Sequence, residues 1–169
     1  GLNRSDSNSN PHLVSRLSYP FKFENGQIFE PGIQGYAGKF VPRTSEITIG
    51  DSEEATTPTF NPNGITDKRA GVSAVLYPQP FGIEAEWNVG RGSELSSDYS
   101  TIKEASLHGG YVMANYRIKT PSGGDRFPFA RWQYYDGGRK FGRNAPKVDV
   151  NEFDFGLEYS PWKEVELTG

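Results

Sequence analysis

The chain has 169 residues, 34% of them hydrophobic and 14% aromatic, with 20 glycines, no cysteine and a formal net charge of −3. That length suits one domain with a core; the small charge argues against nucleic acid or an acidic substrate as partner, and the missing cysteine excludes a disulfide framework and thiolate metal sites. No apolar run approaches the roughly 18 residues of a transmembrane helix, and the polar start GLNRSDSNSN carries no apolar signal-peptide segment.

Residues 1–10, rich in Ser, Asn and Asp, read as a loop. Residues 12–23 alternate, with Leu13, Leu17, Tyr19, Phe21 and Phe23 on one face and Arg16, Ser18 and Lys22 on the other. A period of two means a strand with one apolar and one wet face. The Asn25-Gly26 pair marks a tight turn, and 28–41 returns with Ile33, Gly35 and Ala37 opposite Gln34 and Tyr36. The polar segment 42–67, with its acidic run 51–54, reads as a long loop.

Residues 68–77 set Ala70, Val72, Ala74 and Leu76 against Arg69, Gly71 and Ser73. Pro78 and Pro80 cannot donate to a ladder, so they break the strand. Residues 81–89 return with Phe81, Ile83, Ala85 and Trp87 opposite Gly82, Glu84, Glu86 and Asn88; 90–104 reads as a second long loop. The same pattern recurs in 107–119, turns at 121–124, and returns through 127–135 with Ala130, Trp132 and Tyr134 outward of Arg131 and Gln133. A third long loop, 136–149, leads into the clearest alternation of the chain. In 151–161, Phe153, Phe155, Leu157 and Tyr159 face away from Glu152, Asp154 and Glu158, and a turn at Ser160-Pro161 feeds a last strand, 162–167.

This amounts to about eight strands of roughly the length that crosses a bilayer when tilted. Their connections run short, long, short, long, short, long, short, which is the layout of an outer-membrane β-barrel with tight periplasmic turns and long external loops. A Greek-key sandwich has no reason to keep that order. The expected fold is therefore all-β, an antiparallel transmembrane β-barrel, with 1–169 as a single domain. Tyr77, Phe81, Tyr159 and Trp162 flank the short turns, where an interfacial aromatic girdle is expected. With the short turns periplasmic, both ends of the chain would lie outside. Barrels ordinarily begin and end in the periplasm, so the reading expects a fragment with at least one strand missing at each end.

The chemistry of such a wall is conduction, and its candidate pore-lining residues are Arg16, Lys22, Arg69, Glu84, Glu86, Arg117 and Arg131, with Lys119 beside them. A run of Arg and Lys along a pore passes anions through many weak sites. The acids Glu30, Glu152, Asp154, Glu158, Glu164 and Glu166 make the wall mixed, so this segment by itself does not argue for anion selectivity. Enzyme readings find little support. His12 and His108 have no Glu or Cys at metal-ligand spacing, Glu84 and Glu86 read as wall rather than a glycosidase pair, and the run 51–54 lacks EF-hand spacing. The expectation is no catalytic residue, no metal and no cofactor. From the residues alone a second class stays open, a non-channel β-domain, either a soluble carbohydrate-binding sandwich or a small membrane-anchor barrel.

The segments FPFARWQYYDGG and VNEFDFGLEYSPWKEVEL, with GGYVMANYRI at 109–118, resemble the C-terminal region of the phosphate-selective porin O and P family. The resemblance covers roughly 71–167 and rests on several strand phrases in order rather than on one motif. It implies a sixteen-stranded, homotrimeric channel in the Gram-negative outer membrane, in contact with its lipid. This chain would be about the C-terminal half, the family's constriction loop would lie in the missing N-terminal part, and the solutes would be small, phosphate or polyphosphate among them.

Overall fold

A computed structural model describes residues 10–48, 55–121, 123–162 and 165–168. The expected loop at 1–9, the acidic run 51–54, Ser122 of the third short turn and Glu164 lie outside the described residues.

Every regular element among them is a strand. In chain order these are β1 (Leu13–Ser18), β2 (Phe21–Lys22), β3 (Ile28–Phe40), β4 (Ile47–Thr48), β5 (Ala55–Thr56), β6 (Ile65–Leu76), β7 (Phe81–Leu95), β8 (Ile102–Tyr116), β9 (Ile118–Lys119), β10 (Asp125–Gly138), β11 (Lys147–Trp162) and β12 (Val165–Thr168). One antiparallel sheet runs β1-β3-β6-β7-β8-β10-β11-β12, with β2 beside β3 and β9 beside β10; β4 and β5 form a separate small hairpin. Strands adjacent in sequence are adjacent in space, the up-and-down order expected from the turn signals. β1 and β12 stand at opposite ends of the path and do not pair, so the described residues form an open sheet and not a closed barrel.

Three features differ from the sequence reading. The turn expected at Ser160-Pro161 is instead the end of β11, which runs to Trp162 and pairs with β12 across a register irregularity between Tyr159 and Trp162. The first strand is interrupted, because Pro20 offers no N–H and the neighbouring Tyr19 amide bonds the Pro31 carbonyl. Pro128 likewise has no amide to give β8, and the β8 and β9 pairings on β10 stop either side of residues 127–128. The expected long loops 90–104 and 136–149 are also largely strand. β7 and β8 stay paired up to Leu95↔Ile102, and β10 and β11 up to Gly138↔Lys147, leaving connections 96–101 and 139–146. In the extensions of β7, β8 and β10 polar residues and glycine occupy both faces, so no sustained period-two contrast marks them; Lys147 to Val150 does alternate, with Val148 and Val150 less exposed than Lys147 and Asp149. Only 41–64 remains a long connection, and the short turns stay short.

The registers are in phase, so each face is continuous across the sheet. Leu17, Ile33, Val72 and Trp87 align in one row, and Ala85, Val112, Trp132 and Phe153 in the next. This apolar face is uncovered: Phe155 is 78% exposed, Phe153 and Leu17 69%, Ile33 58%. Leaving a Val, Leu or Phe in water forgoes about 1.5–3 kcal/mol each, and a single sheet has no second layer against which to bury them. Such a face calls for an apolar medium rather than water. The buried cluster sits elsewhere, where the longer connections meet: Ile65, Ile102 and Ala145, flanked by Phe60 and Leu95. There the Ile102 amide donates to Thr59 O at 2.8 Å and the Leu95 amide to Ala145 O at 2.9 Å.

The short-turn end is tied by side chains. Gln27 Nε2 donates to the carbonyls of Tyr77 at 3.0 Å and Phe81 at 2.8 Å, and Gln79 Nε2 to Asn25 O at 2.6 Å. Gly26 takes φ +85°, which the Asn-Gly turn requires of it.

Candidate functional site

The other face of the sheet is polar and hydrogen-bonded. Alternation from β1 to β11 brings to it Arg16, Gln34, Tyr36, Asp67, Arg69, Glu84, Glu86, Asn88, Tyr111, Arg131, Gln133, Glu152 and Asp154. Gln34 Nε2 donates to Asn88 Oδ1 at 3.2 Å, Asn88 Nδ2 to Glu86 Oε1 at 2.6 Å, and Gln133 Nε2 to Glu152 Oε2 at 2.7 Å. The first bridge spans β6 at Gly71, the second runs along β7 and the third joins the neighbouring β10 and β11, so these amides and carboxylates satisfy one another.

The structure separates the seven candidate wall residues into paired and unpaired groups. Arg131 donates from Nε at 3.1 Å and Nη2 at 2.8 Å to Asp154 Oδ2. Arg117 Nε donates to Asp125 Oδ2 at 2.7 Å, and Arg69 Nε to Asp67 Oδ1 at 2.9 Å. Arg16, Lys22, Glu84 and Glu86 form no ion pair with another described residue. Lys22 sits on β2 opposite Ile28. Three of the five basic candidates are thus already paired with neighbouring acids.

Of the four turn-flanking aromatics, Tyr77, Phe81 and Trp162 are exposed, and Phe81 pairs in register with Tyr116. Tyr159 lies under the Arg126 guanidinium, 5.9 Å from its ring centre. Tyr77 turns to the polar side, its hydroxyl donating to Glu30 Oε2 at 3.0 Å. A second aromatic group lies farther along the same strands on the apolar face. Trp87 and Tyr134 stack with centroids 6.1 Å apart and planes 4° apart, across Gly110 of the intervening strand. Trp132 stacks on Tyr134 at 6.3 Å and donates from Nε1 to Asn151 Oδ1 at 2.8 Å. A Cβ on Gly110 would fall 1.9 Å from Glu86 O, so the close approach of β7 and β8 there depends on glycine.

The most buried polar group of the wall escaped the sequence reading. Asp67 is 1% exposed and holds Arg69 on Oδ1 and Lys140 Nζ on Oδ2 at 2.5 Å. Lys140 also donates to Tyr36 Oη at 3.0 Å and sits 4.6 Å from the Tyr36 ring centre, 5.0 Å from that of Phe40 and 5.4 Å from that of Phe141. The Tyr36 hydroxyl in turn meets His12 Nδ1 at 3.0 Å, and His12 Nε2 the Lys39 carbonyl at 2.9 Å. Carrying the alternation 73, 71, 69 one step back would have put Asp67 beside Arg69, but nothing local announces Lys140. Among the described residues no group of three or more His, Cys, Asp or Glu is placed to hold a metal, and no helix is long and apolar enough to cross a membrane, which says nothing of strands.

Comparison with models of protein families matches residues 1–167 to the family described as phosphate-selective porin O and P. No curated protein and no solved structure matches the chain.

Proposed function

Because the chain belongs to the phosphate-selective porin O and P family, whose members are Gram-negative outer-membrane porins and not enzymes, we propose that its polar face lines a water-filled channel for passive diffusion of small anions, phosphate or polyphosphate among them. The observation that carries this reading is the inverted burial. Large apolar side chains stand exposed on one continuous face while the opposite face is a hydrogen-bonded polar wall, the distribution that lipid outside and water inside impose.

In this reading Arg16, Lys22 and Lys119 supply transient anion sites, and Arg69, Arg117 and Arg131 stay largely held by their carboxylates. Glu84 and Glu86 keep any one site weak, which conduction requires, since a solute must leave as readily as it enters. Phe81, Tyr159 and Trp162 mark the interface at the short-turn end, with Tyr77 bridging to the wall. The edges β1 and β12 would leave unpaired backbone in hydrocarbon, so the wall is proposed to close with further strands into a barrel of about sixteen, assembled as a homotrimer. The test is conductance of the full-length protein in planar bilayers. Discrete ion-permeable steps, with a chloride current reduced by added inorganic phosphate, are expected; a bilayer that stays silent at saturating protein sinks the channel reading.

A further inference from the structure

We propose that Asp67 sets the charge selectivity of this wall, by cancelling one of the two cations that the inward-folded β10–β11 connection and β6 bring together. The proposal rests on the channel reading above and goes beyond it, since neither the family nor the polar face as a whole singles out this residue.

The β10–β11 connection, residues 139–146, does not stand away from the sheet. In the strand order, β7 and β8 separate β10 from β6, and β3 lies beyond. Yet Lys140 reaches Asp67 on β6 and Tyr36 on β3. The same connection is fastened to segment 41–64: the Asn144 amide donates to Arg43 O at 2.7 Å, and the Ser45 amide to Asn144 Oδ1 at 2.8 Å. The connection therefore crosses the polar face, bringing a lysine into a wall that already carries Arg69.

Asp67 holds both cations at once, Arg69 through Nε on Oδ1 and Nη2 on Oδ2, and Lys140 through Nζ on Oδ2. The cluster carries two positive charges and one negative, a net of +1. Arg69 borders the open space on both sides: a groove of about 490 Å³ with Glu86, Tyr111 and Gln133, and another of about 490 Å³ with Tyr135, Arg139, Lys140 and Phe141. An ion moving along the wall passes within reach of that net charge. A buried carboxylate with two cations could instead be a clip that merely fastens the connection, and a charge role and a clip role make different predictions.

A unit charge acting through water at about 6 Å changes ion occupancy about threefold. In planar bilayers with the full-length protein under a KCl gradient, Asp67→Asn raises the cluster to +2 and moves the reversal potential to the anion side, with about a threefold gain in blocking by inorganic phosphate. Lys140→Met lowers it to zero and moves the reversal potential to the cation side. Asp67→Asn with Lys140→Met restores +1, and with it near wild-type selectivity, although the clip is gone. Conducting single variants with wild-type reversal potentials would overturn the proposal. So would a double variant as altered as Asp67→Asn alone, which would assign Asp67 the clip role. If Asp67→Asn does not fold, Lys140→Met and Arg69→Met each carry the test, and unchanged selectivity in both refutes it. Absence of wild-type channels would instead strike the porin reading.

Discussion

Arginine placed at Ala130 separates a lipid-facing strand from a solvated one, because one substitution has two very different costs. Ala130 is exposed on the apolar face of β10, between Ala114 and Phe155. It lies four residues from the Arg126–Tyr159 row and four from the Tyr134–Asn151 row. At about 3.4 Å per residue and a tilt of about 40°, that is about 10 Å of depth from either row. The site is therefore near the middle of the band bounded by Tyr159 and by the Trp87–Tyr134 stack. Arginine at that depth in lipid costs about 2–4 kcal/mol, or about 30- to 700-fold in the folded-to-unfolded ratio. On a strand in water the same exchange at an exposed alanine stays within about 0.5 kcal/mol. Gln133→Arg, on the opposite face of the same strand and beside Glu152, is the control, also expected within about 0.5 kcal/mol. The assay is reversible denaturant unfolding of the full chain in lipid vesicles, followed by tryptophan fluorescence. Ala130→Arg as stable as wild type, or no more destabilised than Gln133→Arg, would refute the assignment of faces.

Three further outcomes are expected. Gly110→Ala should destabilise by about 1–3 kcal/mol as overpacking, since its Cβ meets the β7 backbone at Glu86 O; loss of the Trp87–Tyr134 stacking signal in near-ultraviolet circular dichroism reports it, and an unchanged spectrum with unchanged stability contradicts it. The Arg131–Asp154 pair, 40% exposed on both sides, should give a coupling of only about 0.5 kcal/mol in a double-mutant cycle, and a coupling several times larger would mean the wall is drier than drawn. In the 96–101 connection, the Ser96 and Ser100 hydroxyls and the Ser100 amide hold the Asp98 carboxyl down from 3.8 to about 2. A depressed folded value stabilises the connection above the ordinary carboxylate range, and that contribution is lost as pH falls through about 2. Hydrogen-exchange protection of the Thr101 amide, corrected for intrinsic rate, should hold to about pH 4 and fall toward pH 2. Protection with the same pH course in Asp98→Asn would exclude the carboxylate as its cause.

Strand identity and facing were legible wherever a strand has two different environments. Phe153, Phe155 and Leu157 alternate with Asp154, Gly156 and Glu158, and the pairing of β10 with β11 follows that register. Legibility ended where the residues carry no apolar–polar contrast: Arg91, Gly92 and Ser93 show no alternation, yet they pair with Ser106, Ala105 and Glu104, and Gly92 and Ser93 are buried there. The residues of the wall could be listed from parity, but not their state of pairing. Arg131 finds Asp154 23 positions away, and Lys140 finds Tyr36 104 positions away, contacts that only the sheet order creates. The cluster of Ile65, Ile102 and Ala145 was hidden for the same reason, each being a single apolar residue in a polar neighbourhood.

The meeting of the longer connections has an immunological consequence. Segments around 43–45, 59–60, 100–102 and 139–146 are joined by backbone bonds, including the bridges Arg43↔Arg143 and Thr59↔Thr101. What they present to an antibody is therefore one composite epitope rather than four independent peptides. Binders selected on the folded chain should fail on linear peptides from any one segment and lose their target on heating, whereas sera raised against such peptides should recognise mainly denatured protein.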